Sequence, residues 1–473
     1  MDALLPGQHI HILGIGGAGM SAIARILLGN GYTVSGSDAK ASPLLDALRQ
    51  EGAAIYIGHH PDNLGKAEWV LVSSAVAEDN PELQAARARG LRVQDRREFL
   101  PLLLEDYRVL AVAGTHGKTT TTSMIAHILL EAGYDPSYIV GGILKKQGLN
   151  AAAGGSEYFV IEADEYGHMF LGLRPSVAVL TNVEYDHPDF FPTPADLLLA
   201  FQLFLERLPA EGLLVACADD DVARTLAQDQ RRHSQVQTYG VENQNADWGA
   251  IDLKPNAQGG LDFTLCRGVA GSQGVIGAVS LRLPGRHNVQ NAVAAIAVAR
   301  HIGIPFEEIA EALASYQGVG RRSDLMGEVG GVRVIDDYAH HPTAIRATLK
   351  AWREQNPQGR VWAVWQPHTY SRTRALIEDF QASFTAAHAV LVTDVYAARE
   401  SYTPGLDAPQ VAQLISAAGH PNARYSGDWM LTAQILADEV TSGDVVVLLS
   451  AGDLPQAGRA LLSALQARAA KRR

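Results

Sequence analysis

Seven consecutive residues, Gly114-Thr115-His116-Gly117-Lys118-Thr119-Thr120, carry the clearest chemistry in this chain. They form a shortened version of the phosphate loop G-x-x-x-x-G-K-[ST], since Val112 stands where the full pattern has its first glycine. Backbone N–H groups of such a loop, together with Lys118, would hold the triphosphate of ATP, and the Thr119 hydroxyl would ligate Mg²⁺. A metal-bound triphosphate also asks for a carboxylate from a neighbouring strand end. The next apolar strand, Tyr158–Ile161, runs into Glu162, Asp164 and Glu165. Three acids at one strand tip raise each other's pKa values unless a cation sits among them; a solvated acidic turn is the alternative. One strand later, residues 177–181 run into Glu184, Asp186 and His187, again at a carboxyl end, where open parallel sheets bind ligands. His187 reads equally as a metal ligand or as an ordinary loop histidine.

Two further constellations flank this loop. Gly14-Ile-Gly16-Gly17-Ala-Gly19 follows the strand His9–Leu13, and Asp38 lies 19 residues beyond Gly19 at the end of the next strand. Taken alone this reads as NAD binding. Its physics is less specific, because glycines at a helix N-terminus let backbone N–H groups approach any diphosphate, a UDP-sugar included. Towards the other end, Asp336-Asp337-Tyr338-Ala-His340-His341 and Gln366-Pro-His368-Thr369-Tyr370-Ser371-Arg372 follow successive strands. Histidine can take a proton from an incoming amine and arginine can clamp a carboxylate. Any one of these residues taken singly reads as a surface hydrogen bond; together they make a small-ligand site. Arg321-Arg322 just before them reads either as a γ-phosphate contact or as a partner of surface acids.

The elements that must position these residues repeat a short apolar run, a glycine turn and a helical stretch, the pattern of parallel βαβ units. That pattern begins three times, at His9, Val109 and Val332, and 473 residues at ~150 per domain agree with about three domains. We expect an α/β protein of three domains: a Rossmann-like domain over 1–107, a central parallel-sheet domain of P-loop ATPase type over 108–320, and a Rossmann-like α/β domain over 321–473. EFLPLLLEDY reads as a linker helix, GVGRRS as a hinge and the basic end ARAAKRR as a frayed solvated helix. The formal charge of −12 makes the overall field repel phosphate, arguing against nucleic acid and anionic membranes, so anionic ligands must be held locally. Two cysteines outside any CxxC pair leave no disulfide framework and no thiolate zinc site. No basic residue precedes Arg25 and no apolar run approaches ~18 residues, so a soluble cytoplasmic protein is expected. Oligomeric state, monomer or homodimer, is left open.

GIGGAGMSAIA, AGTHGKTTTT, EADE, TNVEYDH, GRHNVQN, DDYAHHPTAI, QPHTYSRT and TDVYAARE, in this order over nearly the whole chain, resemble the successive motifs of the Mur ligase family. The resemblance implies ATP-dependent amide formation between the carboxylate of UDP-N-acetylmuramate and the amine of L-alanine, through an acyl phosphate, in peptidoglycan precursor synthesis. It implies that Gly16, Gly17 and Gly19 meet the UDP-sugar diphosphate, with Asp38, His59, Ser73 and Ser74 lining that cleft. Lys118 would contact phosphate, and Thr119, Glu162 and His187 would hold metal. His287, Asn288 and Asn291 would face the nucleotide, Arg322 the γ-phosphate and Asp337 the ribose. Tyr338, His340, His368 and Arg372 would surround the amino acid, with His340 or His368 taking the ammonium proton. Thr369 departs from the family's usual Arg, Ser323 from the Phe of RRF, and EYG from ESD. The metal-site lysine that several relatives carbamylate is absent, Gln202 standing there. The alternatives are a ligase attaching a recycled murein tripeptide to the same sugar nucleotide, an NAD-dependent oxidoreductase with a regulatory ATP module, and a non-catalytic ATP-gated binding protein.

Overall fold

In a computed structural model, which describes residues 4–243, 245–268, 274–398, 400–402 and 406–471, the chain builds three sheets in succession. The first contains β1 to β5 (His9–Leu13, Thr33–Asp38, Ala54–Ile57, Trp69–Val72 and Arg92–Asp95) in the order β3-β2-β1-β4-β5. All four pairings are parallel. The chain reverses direction beside β1, so the crevice at the carboxyl ends of β1 and β4 is where such a sheet takes a ligand. EFLPLLLEDY begins inside the helix Arg96–Leu103, which starts with a capping box between Asp95 and Glu98 and buries Phe99, Leu100 and Leu103.

The second sheet has ten strands: β6 (Arg108–Ala113), β7 (Ser137–Leu144), β8 (Leu149–Ala152), β9 (Tyr158–Glu162), β10 (Val177–Leu180), β11 (Leu213–Cys217), β12 (Gln235–Gly240), β13 (Trp248–Pro255), β14 (Leu261–Arg267) and β15 (Gly274–Leu281). Their order is β15-β14-β13-β12-β11-β10-β6-β9-β7-β8. The expectation of a parallel sheet describes its middle. It misses both edges, where β13, β14 and β15 pair antiparallel and β7 pairs antiparallel with β8. The physical reason lies in the side chains: β14 alternates buried and exposed positions over much of its length, as an antiparallel sheet with one wet face does. By contrast, β10 and β11 are buried throughout, as parallel strands covered on both faces must be.

The third sheet contains β16 (Asp324–Val329), β17 (Val332–Asp337), β18 (Val361–Trp365), β19 (Ala389–Thr393), β20 (Ala423–Gly427) and β21 (Val445–Leu449), ordered β16-β17-β21-β18-β19-β20. β18 and β21 are fully buried at its centre, each large aliphatic side chain contributing ~1.5–3 kcal/mol of burial. GVGRRS turns sharply between the second and third sheets, with positive φ at Gly318, Arg321 and Ser323. The helix Pro455–Lys471 carries most of the basic end ARAAKRR; Arg472 and Arg473, and Arg399 of TDVYAARE, lie outside the described residues. No helix among the described residues is long and apolar enough to cross a membrane.

Candidate active site

The phosphate loop joins β6 to the helix Lys118–Glu131. Gly117, at φ +83°, caps that helix so closely against Asn291 that a Cβ would stand 2.6 Å from the Asn291 Oδ1. Glycine is therefore required there both by conformation and by space. Asn291 and Asn288 lie on the buried face of the helix Arg286–Ile302, and Asn288 is tied to the Pro284 carbonyl at 2.7 Å. Burial lowers the pKa of His287 from its ordinary value. These three residues thus form a wall beside the loop.

Lys118 Nζ lies 2.8 Å from Glu165 Oε2, the lysine partly and the carboxylate fully buried. Burial alone would lower the lysine, but the carboxylates of Glu165, Glu162 and Asp164 outweigh it and raise it above its ordinary value. Burial pushes the Glu165 carboxyl up to about 7, against the pull of Lys118. The EADE acids therefore do surround a cation, as their crowding requires. Glu162 serves differently: it accepts from the Thr119 hydroxyl at 3.1 Å and from Gly141 N at 2.8 Å. Two oxygen donors about 3 Å apart suit adjacent ligands of an octahedral Mg²⁺. Arg322 donates to the same Thr119 hydroxyl at 3.3 Å, so it faces the loop rather than a surface acid. The Tyr338 ring lies 4.9 Å from its guanidinium and 5.0 Å from that of Arg321. Asp337 spends its carboxylate on Ser323 N and Ala339 N, bracing the turn.

His187 has φ +56°, and its Nε2 lies 3.8 Å from both Glu165 and Asp186. Asp186, which sequence reasoning gave no role of its own, receives Arg372 Nε at 2.7 Å, with both side chains about 5% exposed. Although burial opposes it, Arg372 holds the Asp186 carboxyl well below the ordinary range. The pair ties the second sheet to the third. Arg372 also donates from Nη1 to His368 Nδ1 at 2.8 Å. His340 Nδ1 lies 2.7 Å from the Tyr338 carbonyl, to which only a protonated nitrogen can bond, so His340 Nε2 keeps its lone pair. Burial and then Arg372 push His368 down to about 4, and the same causes keep His340 well below its ordinary value. Thr369 has φ +63° and caps the helix Tyr370–Ala375 through Arg372 N, and Glu400 accepts from Tyr370 N and Ser371 N.

A third group, His116, Glu184 and His341, also lines the cleft, which encloses about 570 Å³ and takes in Lys118, Glu162, Glu165, Asp186, His187, Arg322, His340, His368 and Arg372. A smaller cavity of about 180 Å³ shares Glu162 and Asp164 with it and is lined on its far side by Gly19 and Arg96. Arg96, absent from the sequence-based candidates, lies 3.7 Å from Asp164 and directly over Gly19. This cavity lies between the glycine-loop helix of the first domain and the strand tip that carries Glu162 and Asp164. At the first sheet, Gly16 N donates to Asp38 at 3.0 Å, so Asp38 braces the glycine loop. His59 lies 3.0 Å from Ser37 and 3.2 Å from the fully buried Glu82; burial would raise that carboxyl, but His11 at 3.7 Å and hydrogen bonds from Ser37, Asn63 and His60 N hold it down at about 2. Ser73 and Ser74 follow β4 at the same edge. Glu82 was not anticipated; the NPE of its capped helix is its only sequence signal.

Three family models match the chain: Mur ligase family, catalytic domain, over residues 9–108; Mur ligase middle domain over 112–299; and Mur ligase, glutamate ligase domain, over 321–452. The UDP-N-acetylmuramate–L-alanine ligase of Desulfosudis oleivorans is 43% identical over 97% of this chain and 99% of its own. The crystal structure of the UDP-N-acetylmuramate–alanine ligase of Thermotoga maritima superposes with a TM-score of 0.80 at 27% identity, covering 97% of this chain and 99% of that one. A murein peptide ligase of Psychrobacter arcticus follows at 0.68 and 29% identity, with the same coverage.

Proposed function

The chain belongs to the Mur ligase family, and from that premise we propose that it joins the carboxylate of UDP-N-acetylmuramate to the amine of L-alanine at the expense of ATP. The observation that carries this reading is a pair of adjoining cavities: the larger brings the Lys118 loop together with Arg322, His340 and Arg372, and the smaller, which shares Glu162 and Asp164 with it, is lined by Gly19 of the glycine loop. We assign residues 1–107 to the sugar nucleotide, 108–320 to ATP and 321–473 to the amino acid. In the first of these, Gly16, Gly17 and Gly19 take the diphosphate beside Asp38, His59, Ser73 and Ser74.

Carboxylate and triphosphate repel, so charge must be offset before the γ-phosphoryl group can pass to the carboxylate oxygen. Mg²⁺ held by Thr119 and Glu162, with His187 nearby, would supply part of that offset. Lys118 supplies another part: ATP displaces Glu165 as its partner, and Arg322 reaches the terminal phosphate. His287, Asn288 and Asn291 face the nucleotide beside Asp337. The amine then attacks the acyl carbon, the ammonium proton goes to His340 Nε2, and the tetrahedral intermediate expels phosphate. His340 is the acceptor because its other nitrogen is committed to the Tyr338 carbonyl, whereas His368 Nδ1 is occupied by Arg372. Anionic reactants beside His340 would raise its depressed pKa towards the working range.

Incubation with ATP, Mg²⁺, UDP-N-acetylmuramate and, in separate reactions, L-alanine, glycine, L-serine or the murein tripeptide tests this reading. L-alanine should give stoichiometric ADP and the mass of the amide. Preference for the tripeptide would transfer the chain to the recycling branch, and preference for glycine or serine would trace to Thr369. No ADP with any amine would overturn the ligase reading.

A further inference from the structure

His116, Glu184 and His341 converge from three segments: the phosphate loop, the turn after β10 and the N-terminus of the helix Pro342–Gln355. Their ligand atoms all lie within 4.8 Å of one another. Glu184 Oε2 is 2.9 Å from His116 Nε2 and 3.7 Å from His341 Nδ1. A tetrahedral ion with bonds of ~2.0–2.1 Å separates its ligand atoms by about 3.3 Å, so these two spacings bracket the one required. The surroundings orient the set. His341 Nε2 lies 3.2 Å from the Tyr185 carbonyl and must carry the proton there, which leaves the Nδ1 lone pair facing Glu184. That nitrogen's other contact is a long 3.4 Å helix-capping bond from Thr343 N. The Thr343 hydroxyl donates to the second carboxylate oxygen of Glu184 at 2.6 Å. Two imidazoles, one carboxylate and hydrogen-bonded outer partners match a zinc site with an open position better than an oxygen-seeking Mg²⁺ site.

We propose that His116, Glu184 and His341 bind a zinc-class divalent ion that joins the phosphate loop to the C-terminal domain. The site shares no residue with Thr119, Glu162 and His187. It opens into the large cleft, so an ion reaches it from solvent. Because His116 and Glu184 belong to one domain and His341 to the other, the bound ion pins the two together, and zinc should slow turnover reversibly under saturating Mg²⁺.

The test uses Co²⁺ as a spectroscopic stand-in for zinc, one equivalent added to the full chain in excess Mg²⁺. The unaltered chain should develop the visible bands of a low-coordinate nitrogen–oxygen site, and zinc should abolish them. His341→Gln and Glu184→Gln should lose the bands, His187→Gln should keep them, and Thr343→Val should weaken Co²⁺ binding by about tenfold or more. Bands that survive in His341→Gln, bands lost in His187→Gln, or no bands at all would overturn the proposal. Zinc-edge X-ray absorption on the unaltered chain gives a reading free of any folding defect in the variants. It should count two imidazole nitrogens per zinc, and one or none would overturn the site.

Discussion

Lys118 is held between carboxylates, and the proposed exchange of Glu165 for phosphate at this residue has a measurable consequence. Lys118→Met should lower kcat by about 10²–10³-fold, the usual loss when a transition-state charge donor is removed, while leaving the far-ultraviolet spectrum unchanged. His368 gives a second prediction. Its pKa falls from 6.5 in the unfolded chain to about 4 in the folded one, so the unfolded state binds more protons between these values. Stability from this group is full above pH 6.5 and is lost as pH falls towards 4, an amount on the order of 3 kcal/mol. Urea midpoints across that window should flatten in His368→Asn; an unchanged slope would contradict the assignment. The place of the Gly114–Thr120 loop between a strand and a helix was legible because its residues are contiguous. Roles that depend on partners far apart in sequence were not: Glu165 against Lys118, Asp186 against Arg372 and Arg96 against Asp164 each needed the folded chain.

At the scale of elements, the turn between β18 and the helix Tyr370–Ala375 places His368 and Arg372, the residues proposed to meet the amino acid, and Thr369 holds it at φ +63° and ψ 147°. That region is nearly exclusive to glycine and costs a β-branched residue about 1–3 kcal/mol. Thr369→Gly should therefore keep or raise thermal stability, since glycine also caps helices within a few tenths of a kcal/mol of threonine. It should raise KM for the amine, because Arg372 and His368 lose a fixed support. A Thr369→Gly chain that is less stable and binds the amine unchanged would contradict this account of the turn. Parallel βαβ units were readable from apolar runs and glycine turns. The antiparallel edges were not, because β15 carries three glycines or alanines among its eight residues and shows little period of its own; its place is fixed by pairing with β14.

Across the whole molecule, the buried Asp186–Arg372 pair ties the second sheet to the third, and a buried pair broken on one side leaves an uncompensated charge. Asp186→Asn should destabilise by about 3–5 kcal/mol, and Asp186→Asn combined with Arg372→Met should recover much of that, as read by denaturant titration. Equal losses in single and double variants would mean that the pair does not join the domains. The three-domain plan was visible in the three restarts of the strand–turn–helix pattern, whereas the side chains that close the clefts come from different domains and carry no shared spacing. The proposed ligation rests on activation of the sugar-nucleotide carboxylate by its phosphorylation in this cleft. UDP-N-acetylmuramate labelled with ¹⁸O in both carboxylate oxygens, converted with ATP and L-alanine, tests it most directly. Transfer through an acyl phosphate should leave one ¹⁸O in each inorganic phosphate released and one in each amide; phosphate free of label would rule that route out.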